Sequence, residues 1–165
     1  MNHLDAYIFR SFAGKTDFSK MAKLIQDIAI AENTENWTTV EDVERDYSHL
    51  VNSIPEKDML MVQDQQGNLI AYTRVGWEID DEKRQVFAFP FNIHPTARTD
   101  QLQSHLLGWV EKRAKEVTTE SKVAEKHILR VFLRNIETDV LLREALEGHG
   151  FTAVRFMKDV YKRQM

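Results

Sequence analysis

The sequence predicts a mixed α/β domain, a mostly antiparallel sheet carrying helices on both faces. Strand-like runs rich in β-branched and aromatic residues alternate with segments of helical apolar spacing, in the order β-α-α-β-β-β-α-β-α-β. The 165 residues suit one domain, 1–165, and a chain of that length buries roughly 70% of its unfolded surface without staples. No repeat, low-complexity tract or long linker interrupts it, and Pro55, Pro90 and Pro95 are scattered.

The first strand is "AYIFRSFA", closed by Gly14. Thr16 and Asp17 follow as N-cap candidates, and Phe18, Met21, Leu24, Ile25 and Ile28 form one helical stripe. In "WTTVEDVERDYSHLV", Thr39 with Asp42 three residues on is an acid-ended capping box ahead of apolar Val43, Tyr47, Leu50 and Val51. "DMLMVQD" and "LIAYTRVGWE" predict a hairpin turning at Gln65-Gln66-Gly67-Asn68. A connection at Asp80 to Lys83 leads into "RQVFAFPFNIHP", where Phe87, Phe89, Phe91 and Ile93 share a face. Proline cannot donate to a ladder, so Pro90 implies an edge or a bulge in mid-strand. His94, pushed to extended geometry by Pro95, sets the strand exit.

Leu102, Leu106, Val110, Ala114 and Val117 then line one stripe of a long helix. "HILRVFLR" reads as a strand, and "ETDVLLREALEGHG" as a helix closed by Gly148 or Gly150. "FTAVRFMKDVY" is the last strand.

Composition removes several chemistries. Net charge is −4, so there is no overall basic field to reward a phosphate backbone, and nucleic acid is not an expected partner. Zero Cys excludes disulfides, thiolate zinc, iron-sulfur clusters and a Cys nucleophile. Met1 to Tyr7 carries Asp5 and no apolar core, unlike a secretory signal. The longest nearly uncharged apolar run, Val86 to Ile93, is far below the roughly 20 residues of a membrane span, so no membrane is expected and the location reads as cytoplasmic. The six histidines show no ligand pairing, no G-x-S-x-G elbow is present, and the charges from Glu111 to Lys115 alternate as on a solvated helix face.

The element order, with "FNIHPTARTDQLQSHLLGWVEKRA" and "EGHGFTAVRF", resembles the GNAT superfamily of acetyl-CoA-dependent N-acetyltransferases over almost the whole chain. The resemblance implies that the strand and helix around residues 91–103 hold the cofactor. Phe91 and Ile93 would offer strand backbone, and Arg98, Thr99, Gln101 and Gln103 would form the loop that wraps the pyrophosphate. A helix N-terminus suits that task, since its unpaired N–H groups and dipole favour anions. The family pattern Arg/Gln-x-x-Gly-x-Gly/Ala places Arg98 correctly but meets Gln101 and Gln103 where glycine belongs. If those positions required positive φ, each would cost about 1 kcal/mol. Asp100 with Gln103 forms a capping-box-like pair, in which the acid would accept the N–H of residue 103 and satisfy donors otherwise offered to phosphate. Structural cap and phosphate cradle both remain open.

Many members carry a Tyr four residues before a Gly-Phe pair to protonate the leaving thiolate. Gly150-Phe151 matches the pair, but Leu146 stands at the Tyr position. A general base often comes from the fourth or fifth strand, where "VFAFPFNI" has no acid and Glu78 is the nearest candidate. No catalytic residue and no metal ligand is assigned. "RNIETDVLLREALEGHGFTAVRF" is similar to the N-terminal half of tandem GNAT proteins of the mycothiol-synthase type, one half of which often has a decayed cofactor loop. Two functions follow: a weakly active or non-catalytic module, acting by self-association or beside a second GNAT domain, or a working acetyl-CoA-dependent N-acetyltransferase of a small amine. The acceptor is not legible.

Overall fold

The computed structural model describes residues 3–35, 37–131 and 140–154. A 3-10 turn at His3–Ala6 leads into β1 (Ile8–Arg10) and then α1 (Thr16–Ala31). Neither Thr16 nor Asp17 caps α1: Lys15 occupies the N-cap without a side-chain bond. Asp17 is drawn elsewhere, its oxygens accepting from the Ala13 N–H at 2.7 Å and from Arg10 Nη1 and Nη2 at 2.9 and 2.6 Å. That pair ties α1 to the end of β1.

The capping box of α2 (Val40–Ser48) forms as expected, with the Thr39 hydroxyl accepting the Asp42 N–H at 3.1 Å and the Asp42 carboxylate accepting the Thr39 N–H at 3.0 Å. Leu50 and Val51 lie past its end, and Val51 stays exposed. A short α3 (Pro55–Asp58), with Pro55 at its first turn, precedes β2 (Met59–Gln63). The predicted hairpin closes at Asp64 to Asn68, where Asp64 Oδ1 accepts the N–H groups of Gln66 and Asn68.

Two runs read as single strands are each divided. "LIAYTRVGWE" becomes β3 (Leu69–Arg74) and β4 (Gly76–Ile79), separated at Val75. "RQVFAFPFNIHP" becomes β5 (Gln85–Ala88) and β6 (Phe91–Ile93), separated at Phe89-Pro90. The reason is the missing Pro90 N–H, together with the Thr73 hydroxyl, which donates to the Pro90 carbonyl at 2.8 Å and fixes the break. Then come α4 (Asp100–Ser121), β7 (His127–Arg130) and α5 (Val140–Gly148).

The strands form two sheets, β1-β2-β3-β6 and β4-β5-β7. Every pairing is antiparallel except β5 with β7. Both β3/β4 and β5/β6 cross from one sheet to the other, so the surface splits where β6 leaves β5.

Strand β2 shows why helices cover both faces. All five of its residues are buried. Met59 and Met61 pack with Phe18, Met21 and Leu24 of α1, whereas Leu60 and Val62 pack with Leu102 and Leu106 of α4. A strand covered on both sides is apolar throughout, as "MLMV" is. A third cluster joins Phe87 and Phe89 to Leu107, Val110 and Ala114 of α4 and to Leu142, Ala145 and Leu146 of α5.

Of the two candidate glycines, Gly150 ends α5. It adopts φ 83°, and the bonds Phe151 N–H to Leu146 O and Gly150 N–H to Glu147 O, both 3.0 Å, form a Schellman motif. Residues 151–154 join no ladder, and the rest of the expected last strand lies outside the described residues. No described helix is long and apolar enough to cross a membrane.

Candidate functional site

The split between the sheets makes one edge of β6 available. Its register against β3 pairs Asn92 with Tyr72, and the His94 N–H donates to the Ile70 carbonyl at 2.8 Å. Because hydrogen-bonding direction alternates along an antiparallel strand, Asn92 and His94 face β3 while Phe91 and Ile93 direct their backbone groups to the open side. Among the described residues β7 does not continue beside them, since its ladder with β5 ends at Ala88 and Arg130. Among the described residues, the N–H groups of Phe91 and Ile93 and the Phe91 carbonyl therefore have no ladder partner. The Ile93 carbonyl accepts from Arg98 Nε at 3.2 Å.

Aromatic rings wall this edge. Phe89 meets Phe91 and Phe151 edge-on, each with centroids 6.1 Å apart. Phe91 is half-buried, while Phe87 and Phe89 belong to the core.

The chain then turns through a 3-10 segment at Pro95–Ala97 into α4. His94 is extended, as the following proline demands, and its Nδ1 accepts the Thr96 N–H at 3.3 Å. The helix is capped by Thr99, not Asp100: the Thr99 hydroxyl accepts the Leu102 N–H at 3.3 Å, and the Gln103 N–H goes to the Thr99 carbonyl at 3.0 Å. The predicted bond from Asp100 to residue 103 is absent because Asp100 is already the first helical residue. Asp100 and Gln101 are exposed, and their backbone N–H groups carry no protein hydrogen bond among the described residues. One donor thus goes to the cap and two stay open, so cap and anion seat coexist.

No residue from 94 to 103 has positive φ; among described non-glycine residues only Asn33, Asn52, Lys83 and Lys122 do. Glutamine at 101 and 103 therefore strains no backbone torsion here, and what distinguishes it from glycine is the side chain.

Arg98 does not reach toward those open donors. Its Nη2 sits 2.5 Å from Glu32 Oε1 at the C-cap of α1, with the two side chains 24% and 20% exposed. Glu32, sixty-six residues away, is a site residue that sequence reasoning missed, and no local pattern announces it. Thr73 was missed likewise.

Gln103 is the unusual member. It is completely buried, and neither its amide nitrogen nor its amide oxygen has a hydrogen-bond partner. Gln101, in contrast, points to solvent.

Proton-transfer groups are sparse. Leu146 lies in the core at 5% exposure. Glu78 sits exposed on β4, paired with Val86 in the second sheet. Tyr72 and Tyr47 lie in the cluster against α1, on the sheet face opposite α4, and burial pushes both phenols up from their ordinary value.

No protein-family model matches the sequence, and no curated protein matches it. Solved structures do. A GCN5-related N-acetyltransferase from Sphaerobacter thermophilus superposes with TM-score 0.66 at 22% identity, covering 88% of this chain and 43% of that one. The chain has the GNAT fold. A protein from Salmonella typhimurium, described as an acetyltransferase and solved with its cofactor acetyl-CoA, gives TM-score 0.65 at 17% identity, over 91% of this chain and 82% of that one. Glucosamine-6-phosphate N-acetyltransferase from Arabidopsis thaliana gives 0.59 at 15%, over 95% and 99%. At these identities the likeness is one of architecture. The chain spans less than half of the Sphaerobacter protein's length. The break at Phe89-Pro90 is where β6 and β5 part into separate sheets.

Proposed function

We propose that this chain is a GNAT-type domain that takes the acyl arm of acetyl-CoA at the β6 edge but grips its diphosphate weakly, and is therefore weakly active or non-catalytic. The observation that carries this is the engagement of Arg98 by Glu32 beside a helix start with only two open donors.

Acetyl-CoA fits the site unevenly. The open edge of β6 offers an amide chain strand-like donors and an acceptor, with Phe91 and Phe89 as apolar walls. The N–H groups of Asp100 and Gln101 suit a single phosphate oxygen, but the Asp100 carboxylate adds a negative charge beside them. Acetyl-CoA would supply a thioester carbon open to attack by an amine. Among the described residues the cleft provides orientation and exclusion of water, with Leu146 where a proton donor would stand. The partner in this reading is a second GNAT domain, with self-association as the alternative; more than half of the Sphaerobacter chain lies outside the match.

Calorimetric titration with acetyl-CoA tests the reading. Binding no tighter than roughly millimolar is expected, and a micromolar constant, about −8 kcal/mol, overturns it. The second reading, an N-acetyltransferase of a small amine, is favoured by the two open donors at Asp100 and Gln101. It requires turnover on an amine panel that Arg98→Ala reduces.

A further inference from the structure

Trp77, Phe87 and Leu129 lie side by side on β4, β5 and β7, and all three pack toward α4 and α5. Side chains alternate along a strand, so the adjacent row, Gly76, Ala88 and Arg130, looks out from the other side of this sheet. That side is uncovered at its middle, where Ala88 is exposed. Arg74 reaches the same patch. A Cβ at Gly76 would stand 3.1 Å from Arg74 Nη1, so the guanidinium lies over that glycine, and it also rests on the Tyr47 ring at 5.5 Å from the centroid. Arg130 stands two strands from Gly76, about 10 Å across the sheet.

Charge sets this patch apart. Arg10, Arg84, Arg98 and Arg113 are half-buried, and each is matched by a carboxylate, from Asp17, Asp80, Glu32 and Asp58 respectively. Arg74 and Arg130 are half-buried too, so both keep exposed surface, yet neither has a carboxylate partner among the described residues. Arg74 Nε is buried with no hydrogen-bond partner at all. Arginine is seldom withdrawn from water unpaired, and its planar fork matches a carboxylate. Glu78 shares this face two residues along β4 from Gly76, exposed and without an ion pair among the described residues. Two guanidinium groups beside one carboxylate fit a ligand that carries both an acid and an amine, and fit a multiply charged anion less well.

We propose that Arg74 and Arg130 form a binding site for the carboxylate of a small amino acid, held over Gly76 and Ala88. As a substrate class it rests on the reading of the chain as an N-acetyltransferase of a small amine, and it makes that amine an acidic one. Ala88 ends β5 just before the break at Phe89-Pro90, beyond which β6 begins, so a ligand anchored there has its other end within reach of the cleft.

The test titrates the full chain, without acetyl-CoA, with 4-aminobutyrate and separately with inorganic phosphate at constant ionic strength, following backbone amide signals by NMR. Wild type should bind 4-aminobutyrate with a dissociation constant of about 1 to 5 mM and shift the Gly76 and Ala88 amides. Arg74→Gln and Arg130→Gln should each weaken binding about tenfold through loss of a charge-assisted hydrogen bond. Arg143→Gln, at an exposed position on α5, should leave it unchanged. No saturable binding overturns the proposal, as does binding that leaves the Gly76 and Ala88 signals unmoved or is equal in wild type and both site variants. Phosphate held more tightly than 4-aminobutyrate overturns the ligand class. Because acetyl-CoA is left out, none of these failures touches the cofactor reading, which stands or falls on its own titration.

Discussion

If Glu32 is what keeps Arg98 from the helix start, removing its charge should strengthen cofactor binding. Glu32→Gln preserves the shape and leaves Arg98 next to the N-cap of α4. The 2.5 Å contact joins two side chains that are 24% and 20% exposed, between the exposed and buried regimes. Exposed pairs contribute about 0 to 1 kcal/mol, and breaking a buried pair costs about 3 to 5. A loss of roughly 1 to 2 kcal/mol in folding stability is therefore expected, visible as a lower thermal midpoint. With the charge of Glu32 gone, the guanidinium can offer a phosphate oxygen a charge-assisted hydrogen bond of about 1.5 to 3 kcal/mol, or roughly a 10- to 100-fold gain in acetyl-CoA affinity. Calorimetry on wild type, Glu32→Gln and the double variant Glu32→Gln/Arg98→Ala measures it. The gain should appear in the single variant and vanish in the double. An unchanged dissociation constant in Glu32→Gln, with the protein folded, would refute the reasoning, because the engagement of Arg98 would then not be what limits binding.

Two further outcomes are expected. Thr99→Ala removes the side-chain acceptor for the Leu102 N–H and should cost about 1 kcal/mol of stability by chemical denaturation, whereas Asp100→Asn should cost less because Asp100 is not the cap. At Asp17, burial raises the carboxyl but the Arg10 guanidinium and the Ala13 N–H outweigh it, leaving the pKa below its ordinary value. A depressed folded-state pKa contributes stability above the unfolded value, near 3.9, that is lost as pH falls through the folded one. Asp17→Asn should therefore flatten the fall in stability below about pH 4, and an identical acid limb in both proteins would contradict it.

Local chemistry was legible in the sequence and distant chemistry was not. The box from Thr39 to Asp42, the stripe of α4 and the ladder break at Pro90 each depend on residues within a few positions of one another. The caps failed where neighbours competed: Asp17 is claimed by Arg10, and Thr99 precedes Asp100 by a single residue, within the usual uncertainty of helix ends. The division at Val75 has no proline to announce it; it follows from pairing with β5 after that strand, too, has changed sheets. At the site, Arg98 was identified but its occupation by Glu32 was invisible, and the glycine argument rested on a torsion that residues 101 and 103 do not adopt.

The double crossing between sheets has a mechanical result. Chain continuity at Val75 and at Phe89-Pro90 stitches the two leaves together at neighbouring points, and the Thr73 hydroxyl clasps the seam. Two stitches side by side act like the spine of a book, which forbids the leaves to slide or part along that line. A guest laid along the open edge of β6 would meet this seam at the inner end of the strand.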